Sequence, residues 1–387
     1  MSLLWFSGVE SGDLSEFNDL GGTRSASTAV VKSGAYSAKT TATQNGVQNW
    51  VGSNTIQAST TLYFRSYCYI DLTANPTGGN STENFFVDVE SSGGGAADAG
   101  VFLDVSTSGV ITAHARHTGG ATVNGSVNTV LNNNQWYLIE VKVTASTSVG
   151  VVEWKLDGVL QETLANQNIA SNQWVRVYGI AHLNGSGSGA MAIYFDDLSV
   201  SDSAYPGPGK CIARQGKAGT PTYDAWTKTS SQTAAQVWSE TPFSATNNAA
   251  LAGTGAGAQT MLTESFSTTQ SGHGTETIAS GDTINACKVG LVAKVSSTSS
   301  PPTFSIRQRL NSVDTDLAKV LTTGDVYYEG AIFTDTLTNL NASEIGAVRG
   351  TSAATKTDTV EDVWMFVDYT AAPAAFTGGL ALMGVGQ

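Results

Sequence analysis

The sequence predicts an all-β protein built as two β-sandwich domains. Three observations carry this. Apolar and polar residues alternate with period two along most of the chain, the pattern of half-buried strands. Charged residues are only 13% of the 387 residues, and 42 Gly plus abundant Ser, Thr and Asn take their place. That composition favours strands and turns and leaves any surface helix short of Glu, Lys and Arg. Finally, the chain breaks near its middle at Pro206-Gly207-Pro208-Gly209, and its length is too great for one ordinary core.

The strands come in order along the chain. "LYFRSYCYIDL" (Leu62 to Leu72) alternates throughout. "QWYLIEVKVTAS" puts Tyr137, Ile139, Val141 and Val143 on one face and Glu140, Lys142 and Thr144 on the other. "VVEWKLDGVLQETL" reads as a hairpin, because Asp157-Gly158 supplies the positive φ angles of a two-residue turn. "QWVRVYGIAHL" and "MAIYFDDLSV" complete the first half. The second half offers "AQTMLTESFS", "ACKVGLVAKVS", "TFSIRQRL", "VYYEGAIFTD" and "EDVWMFVDYT" as strands, with helical spacing only in "SSQTAAQVWSE". The expected division is a first sandwich over 1–202, a Pro/Gly linker over 203–211, a second sandwich over 212–370 and an apolar Gly-rich tail over 371–387. The linker is expected to share few contacts with the second sandwich. The tail, with Phe376, Leu380, Leu382, Met383 and Val385 and no charged side chain, is expected to dock extended on a neighbouring subunit of a homo-oligomer, such as a trimer.

A net charge of −13 and a pI near 4.6 oppose binding to nucleic-acid phosphates or anionic membranes. Cys68, Cys211 and Cys287 are widely spaced beside apolar runs, which reads as small core residues and not as a disulfide or zinc framework. The N-terminus "MSLLWFSGVESGD" has no basic leader, so synthesis and folding in the cytoplasm are expected.

Two acids stand in apolar surroundings. In a regular strand Asp197 shares a face with Phe195, and Glu10 shares a parity with Phe6 and Gly8. First and last strands of a jelly roll are often neighbours. A structural Ca²⁺ held by Glu10, Asp197 and backbone carbonyls would neutralise both acids; bonding to backbone N–H groups is the alternative. No other cofactor is expected.

"VESGDLSEF", "VVKSGAYSAKTTAT", "QWYLIEVKV", "EWKLDGVL" and "IYFDDLSVSD" together resemble the concanavalin-like, laminin-G-like jelly rolls over residues 1 to about 202. With "YDAWTKTSSQTAAQVWSETPF" and the ending "VEDVWMFVDYTAA", the whole resembles virion proteins of tailed bacteriophages. The resemblance implies a non-enzymatic structural protein of the virion, on the head surface or tail, with other virion proteins as partners and no catalytic residue. A carbohydrate-binding adhesin that meets a host glycan is the alternative, and a polysaccharide-degrading enzyme the third.

The residues themselves offer little chemistry at this level. His114 and His117 are three apart on a strand and face opposite sides, so they cannot share one metal. His182 and His273 stand alone. "GTGAGAQ" lacks the Lys-Ser/Thr of a phosphate loop. Asp88 and Glu90 share a strand face, but Phe86 occupies the position where glycosidases of this fold carry a further acid. Trp50, Trp136, Trp154, Trp174, Trp226 and Trp238 could stack on sugars. Tyr63, Tyr67 and Tyr69 line one strand face, read as a wall of the sandwich core before a glycan platform.

Overall fold

The computed structural model describes residues 3–42, 48–53, 56, 59–71, 85–90, 100–106, 108–117, 121–169, 176–182, 191–215, 223–224, 226–228, 251–253, 258–263, 276–351 and 356–373. The segment with helical spacing, 230–240, and residues 374–387 of the apolar tail lie outside them.

In the first half the strands are β1 (Leu3–Ser7), β2 (Asp19–Gly21), β3 (Arg24–Ser27), β4 (Ser37–Ala42), β5 (Gln48–Ser53), β6 (Thr61–Asp71), β7 (Phe85–Glu90) and β8 (Gly100–Val105). They continue with β9 (Val110–Arg116), β10 (Thr122–Asn124), β11 (Thr129–Val130), β12 (Trp136–Thr144), β13 (Gly150–Leu156), β14 (Val159–Gln167), β15 (Arg176–His182) and β16 (Met191–Ser201). Sheet A runs β14-β13-β12-β6-β16-β4-β3, with β1 also on β16; sheet B runs β10-β9-β8-β7-β15-β5-β2, with β11 on β9. The pairs are antiparallel and the two sheets close on one apolar core. The expected hairpin is present: Asp157 (φ 49°) and Gly158 (φ 80°) turn the chain between β13 and β14.

The second half holds β17 (Lys210–Gln215), β18 (Tyr223–Asp224), β19 (Thr227–Lys228), β20 (Leu251–Gly253), β21 (Gln259–Leu262) and β22 (Thr283–Val295). After them come β23 (Phe304–Leu310), β24 (Val313–Lys319), β25 (Val326–Glu329), β26 (Glu344–Arg349) and β27 (Asp358–Thr370). Sheet C runs β19-β20-β27-β22-β25, with β17 on β27, and sheet D runs β18-β21-β26-β23-β24. A second apolar core lies between them. Among the described residues one short helix, Leu337–Ala342, is capped by Thr336, whose side chain accepts from the Asn339 N–H.

Period-two alternation decides which face each strand buries. On β12, Tyr137, Ile139, Val141 and Val143 enter the core as expected. On β6, Leu62, Phe64, Cys68 and Ile70 enter it. Tyr63, Tyr67 and Tyr69 therefore project from the outer face of sheet A, which corrects their reading as a core wall.

β16 departs from a regular strand. Its register against β6 shifts between Asp196 and Ser199, and Asp197 takes φ 50°. One extra residue there is a β-bulge, which reverses the parity of the residues after it. Phe195 is in the core before the bulge, and Leu198 and Val200 are in it afterwards.

The Pro/Gly exit is not a loose hinge. Gly207 donates its N–H to Glu140 Oε1 at 2.8 Å, and β17 pairs with β27 from Lys210 onward. A third apolar cluster joins the halves, built from Leu3 and Phe6 of β1, Cys211 of β17, Ala286 of β22, and Trp364 and Phe366 of β27. The expectation of few contacts past the linker fails because outward residues of β1 and β6 face outward residues of sheet C. A Cβ on Gly8 would lie 2.6 Å from the Cys211 carbonyl oxygen, so the two chains meet backbone to backbone.

Candidate functional site on the outer face of sheet B

The core residues of β8 are Val101, Leu103 and Val105, and those of β9 are Ile111, Ala113 and Ala115. The alternate residues, Phe102, Asp104, Thr112, His114 and Arg116, line the other face. Register extends this face across the sheet. One row of paired positions runs Asn124, His114, Phe102, Asp88, Tyr178, Gly52 and Asp19, from β10 to β2. The next row runs Thr122, Arg116, Gly100, Glu90 and Arg176. A sheet face away from its core would ordinarily carry Ser, Thr and Asn in a chain of this composition. Here His114, Phe102, Asp104 and Arg116 stand together.

His114 has the best defined surroundings. Its ring stacks on Phe102, with centroids 4.7 Å apart and planes 15° from parallel. Nδ1 is 2.9 Å from Asn124 Oδ1, and Nε2 is 3.0 Å from Asp104 Oδ2. Both partners are oxygen acceptors, whereas a neutral imidazole carries one N–H. With Nδ1 donating to Asn124, a proton on Nε2 is stabilised by Asp104. Both ring nitrogens thus face oxygen acceptors, and the ring is fixed in orientation. The Arg116 guanidinium sits 5.9 Å from the Phe102 ring centroid, beside this pair. Trp50 donates Nε1–H to Asp19 Oδ1 at 2.8 Å. Its indole covers Gly21, where a Cβ would fall 2.3 Å from ring carbon Cη2, so only glycine fits beneath it.

His117 lies on the opposite side of the chain, with Nε2 3.1 Å from Gln167 Oε1, as expected of residues three apart. His273, Trp174, Trp238 and most of "GTGAGAQ" lie outside the described residues. Trp154 and Trp226 are core residues. All three cysteines are free and buried, Cys68 and Cys287 in the two cores and Cys211 at the junction. Asp104 and Asn124 are not recognisable from the sequence as partners of His114. Alternation in "GVFLDV" places Asp104 on the outer face, but nothing local discloses the register that brings it to His114.

Glu10 and Asp197 do come close, along with Asp196, and all three are fully buried. Each is held first by N–H or O–H donors. Glu10 Oε1 accepts from the N–H groups of Ala35 (3.0 Å) and Tyr36 (3.2 Å). Asp196 Oδ2 accepts from the Lys32 N–H at 2.8 Å. Asp197 Oδ1 accepts from the Ser33 hydroxyl and the Cys211 N–H, both at 2.6 Å. Burial raises the pKa of Glu10 and Asp196 well above the carboxylate range; repulsion from Glu16 and Asp197 adds to it for Glu10, and from Asp197 and Glu10 for Asp196. Burial lifts Asp197 to about 6 against the opposing pull of Arg65. Asp197 Oδ2 is buried and accepts no hydrogen bond. No three Asp, Glu, His or Cys side chains among the described residues converge as a ligand set for a metal ion.

No family model and no curated protein matches the chain. Among solved structures the chain is similar to alginate lyase Aly36B at 11% identity and a TM-score of 0.35, covering 53% of this chain and 94% of that one. It is similar to alginate lyase AlyC3 at 11% identity and 0.32, covering 43% and 74%. A third is described under endo-acting O-glycanases of the human gut microbiota that initiate mucin breakdown, at 11% identity and 0.36, covering 51% and 98%. The expectation of a non-enzymatic virion protein, with its adhesin alternative, is corrected here: these similar structures are named for lyases and glycan-degrading enzymes. Register brings His114 of β9 and Asp104 of β8 together on sheet B.

Proposed function

We propose that the first sandwich cleaves an acidic polysaccharide by β-elimination on the outer face of sheet B. The observation that carries this is the cluster of His114, Asp104, Asn124, Phe102 and Arg116 on β8, β9 and β10. Elimination from a uronate needs three things: a cation to neutralise the carboxylate and acidify C5–H, a base for that proton, and an acid for the leaving oxygen. Arg116, beside the Phe102 ring, supplies the cation. The C5 proton passes to the Asp104 carboxylate, and His114 shares it across the 3.0 Å Nε2–Oδ2 contact. The C5–H electrons form the C4=C5 double bond as the C4–O bond breaks, and the departing oxygen takes a proton from water. Phe102 gives the imidazole a fixed plane, so the base is oriented before substrate arrives.

The test is product mass. Incubation of the full chain with a set of polyuronates should yield fragments whose summed mass equals that of the substrate, with one unsaturated end per cut. Fragments heavier by one water would mean hydrolysis and would overturn the elimination. No fragments from acidic or neutral polymers would overturn the reading.

A further inference from the structure

The outer face of sheet A carries a second row that the proposed chemistry does not use. Trp136 on β12 pairs with Tyr69 on β6, Tyr69 with Tyr194 on β16, and Tyr194 with Lys39 on β4. Their side chains meet across the sheet. The Trp136 and Tyr69 centroids are 5.5 Å apart, those of Tyr69 and Tyr194 are 5.7 Å apart, and Lys39 Nζ is 5.4 Å from the Tyr194 ring. Trp136, Tyr69 and Lys39 are half-buried, so each keeps a solvent-facing surface. Strands lie about 4.8 Å apart, so the row spans roughly 14 Å, the length of a short oligosaccharide.

Charge gives the row a direction. The chain carries −13 overall, yet Lys39 ends the row and Lys32 Nζ stands 4.6 Å over the ring of Tyr67, two residues along β6. Asp71 lies the other way along β6. A sugar strand on the rings would find cations on its Tyr67 side and an acid on its Tyr69 side. Aromatic faces stack on the C–H faces of pyranose rings, and an ammonium beside them selects sugars with a carboxylate.

We propose that the row Trp136–Tyr69–Tyr194–Lys39 is a second binding surface for the same acidic polysaccharide, on the sandwich face opposite the reacting one. The substrate class rests on the proposed function; the existence of a binding row does not. The surface holds polymer without cleaving it and keeps the chain on its substrate between cuts.

The experiment is affinity electrophoresis of the full chain through gels containing a polyuronate or a neutral glucan, alongside cleavage of a short uronate oligosaccharide. Trp136→Ala and the milder Lys39→Gln are compared with the parent protein, with circular dichroism to confirm folding. The expected result is at least a tenfold loss of retention by polyuronate for Trp136→Ala and a several-fold loss for Lys39→Gln, with turnover of the short substrate unchanged. Retention equal to the parent in both variants would overturn the proposal, and so would equal retardation by the neutral glucan. If the parent is retained by polyuronate but cuts nothing, the binding row stands and the proposed reaction falls.

Discussion

Arg65 of the first sandwich and Asp368 of the second form an ion pair in which neither side chain has any solvent exposure. Asn285 Nδ2 donates to the other oxygen of Asp368 at 2.7 Å, and Arg65 Nε donates to the Asp197 backbone oxygen at 2.8 Å. Burial by itself would lower the arginine pKa, but Asp368 outweighs it and the guanidinium is held more firmly charged than usual. Breaking a buried pair from one side leaves an uncompensated charge. Asp368→Ala and Arg65→Ala are each expected to cost about 3–5 kcal/mol in urea unfolding. Replacing both by apolar residues of similar size should cost less than either alone. Single variants within about 1 kcal/mol of the parent would show that water reaches the pair.

The same pair bears on independent folding. A fragment of residues 1–202 uncovers Arg65, Leu3 and Phe6, which the second sandwich buries. Its unfolding midpoint in urea is expected to fall below that of the first sandwich in the full chain. A fragment as stable as the parent would mean that the junction contributes nothing.

The three buried acids make stability depend on pH. Glu10, Asp196 and Asp197 all have raised pKa values, with Asp197 at about 6. Between the ordinary carboxylate value near 4 and these raised values, the folded chain holds protons that the unfolded chain has released. Stability contributed by these groups is therefore present in acid and lost as pH rises through 4 to 6 and beyond. With chelator present, calorimetry should give a lower Tm at pH 8 than at pH 5. A Tm that rises over that interval would contradict the assignment.

Calcium should oppose that loss. We propose that Asp197 Oδ2 and Glu10 take part in holding a structural Ca²⁺, which would replace protons as the neutralising charge. At a hundredfold excess over its dissociation constant an ion stabilises by about 2.7 kcal/mol. Added Ca²⁺ is expected to raise Tm at pH 8 and to do little at pH 5, where protons compete. A Tm indifferent to calcium and chelator at pH 8 would leave the acids to their N–H donors alone.

Gly34 tests the cradle itself. It has φ +65°, and a Cβ there would lie 2.1 Å from Glu10 Oε1. Gly34→Ala is expected to destabilise by more than about 1 kcal/mol from the left-handed backbone alone, with a further loss as Glu10 is pushed from its donors. A neutral substitution would mean that the 32–36 loop does not clasp the carboxylate.

Much of the fold is legible locally. Alternation in "LYFRSYCYIDL" and "QWYLIEVKV" names the buried residues, and Asp157-Gly158 names its own turn. β24 escapes sequence reading because "VDTDLAK" has no apolar face. It is an edge strand tied to β23 by Arg307 and Asp316, with Nε to Oδ1 at 2.7 Å. Asp197 reads as part of a regular strand because nothing in "YFDDLSV" announces the bulge that reverses parity after it. Lys288 sits inside the apolar run "ACKVGLVAKV" and gives no hint that its ammonium donates to the Phe6 carbonyl at 2.7 Å, 282 residues away. The candidate site is the least legible part. His114, Asp104 and Asn124 are ordinary residues on separate strands, and only register makes them neighbours.

The most direct measurement is absorbance near 235 nm, where the C4=C5 bond of an eliminated uronate absorbs, recorded as the full chain acts on a polyuronate. The parent protein is expected to give a steady rise. His114→Gln, which keeps a polar group against Asn124, should slow that rise at least a hundredfold while circular dichroism and Tm stay near the parent values. A parent protein that produces no rise on any polyuronate, or a His114→Gln variant as fast as the parent, would contradict the account.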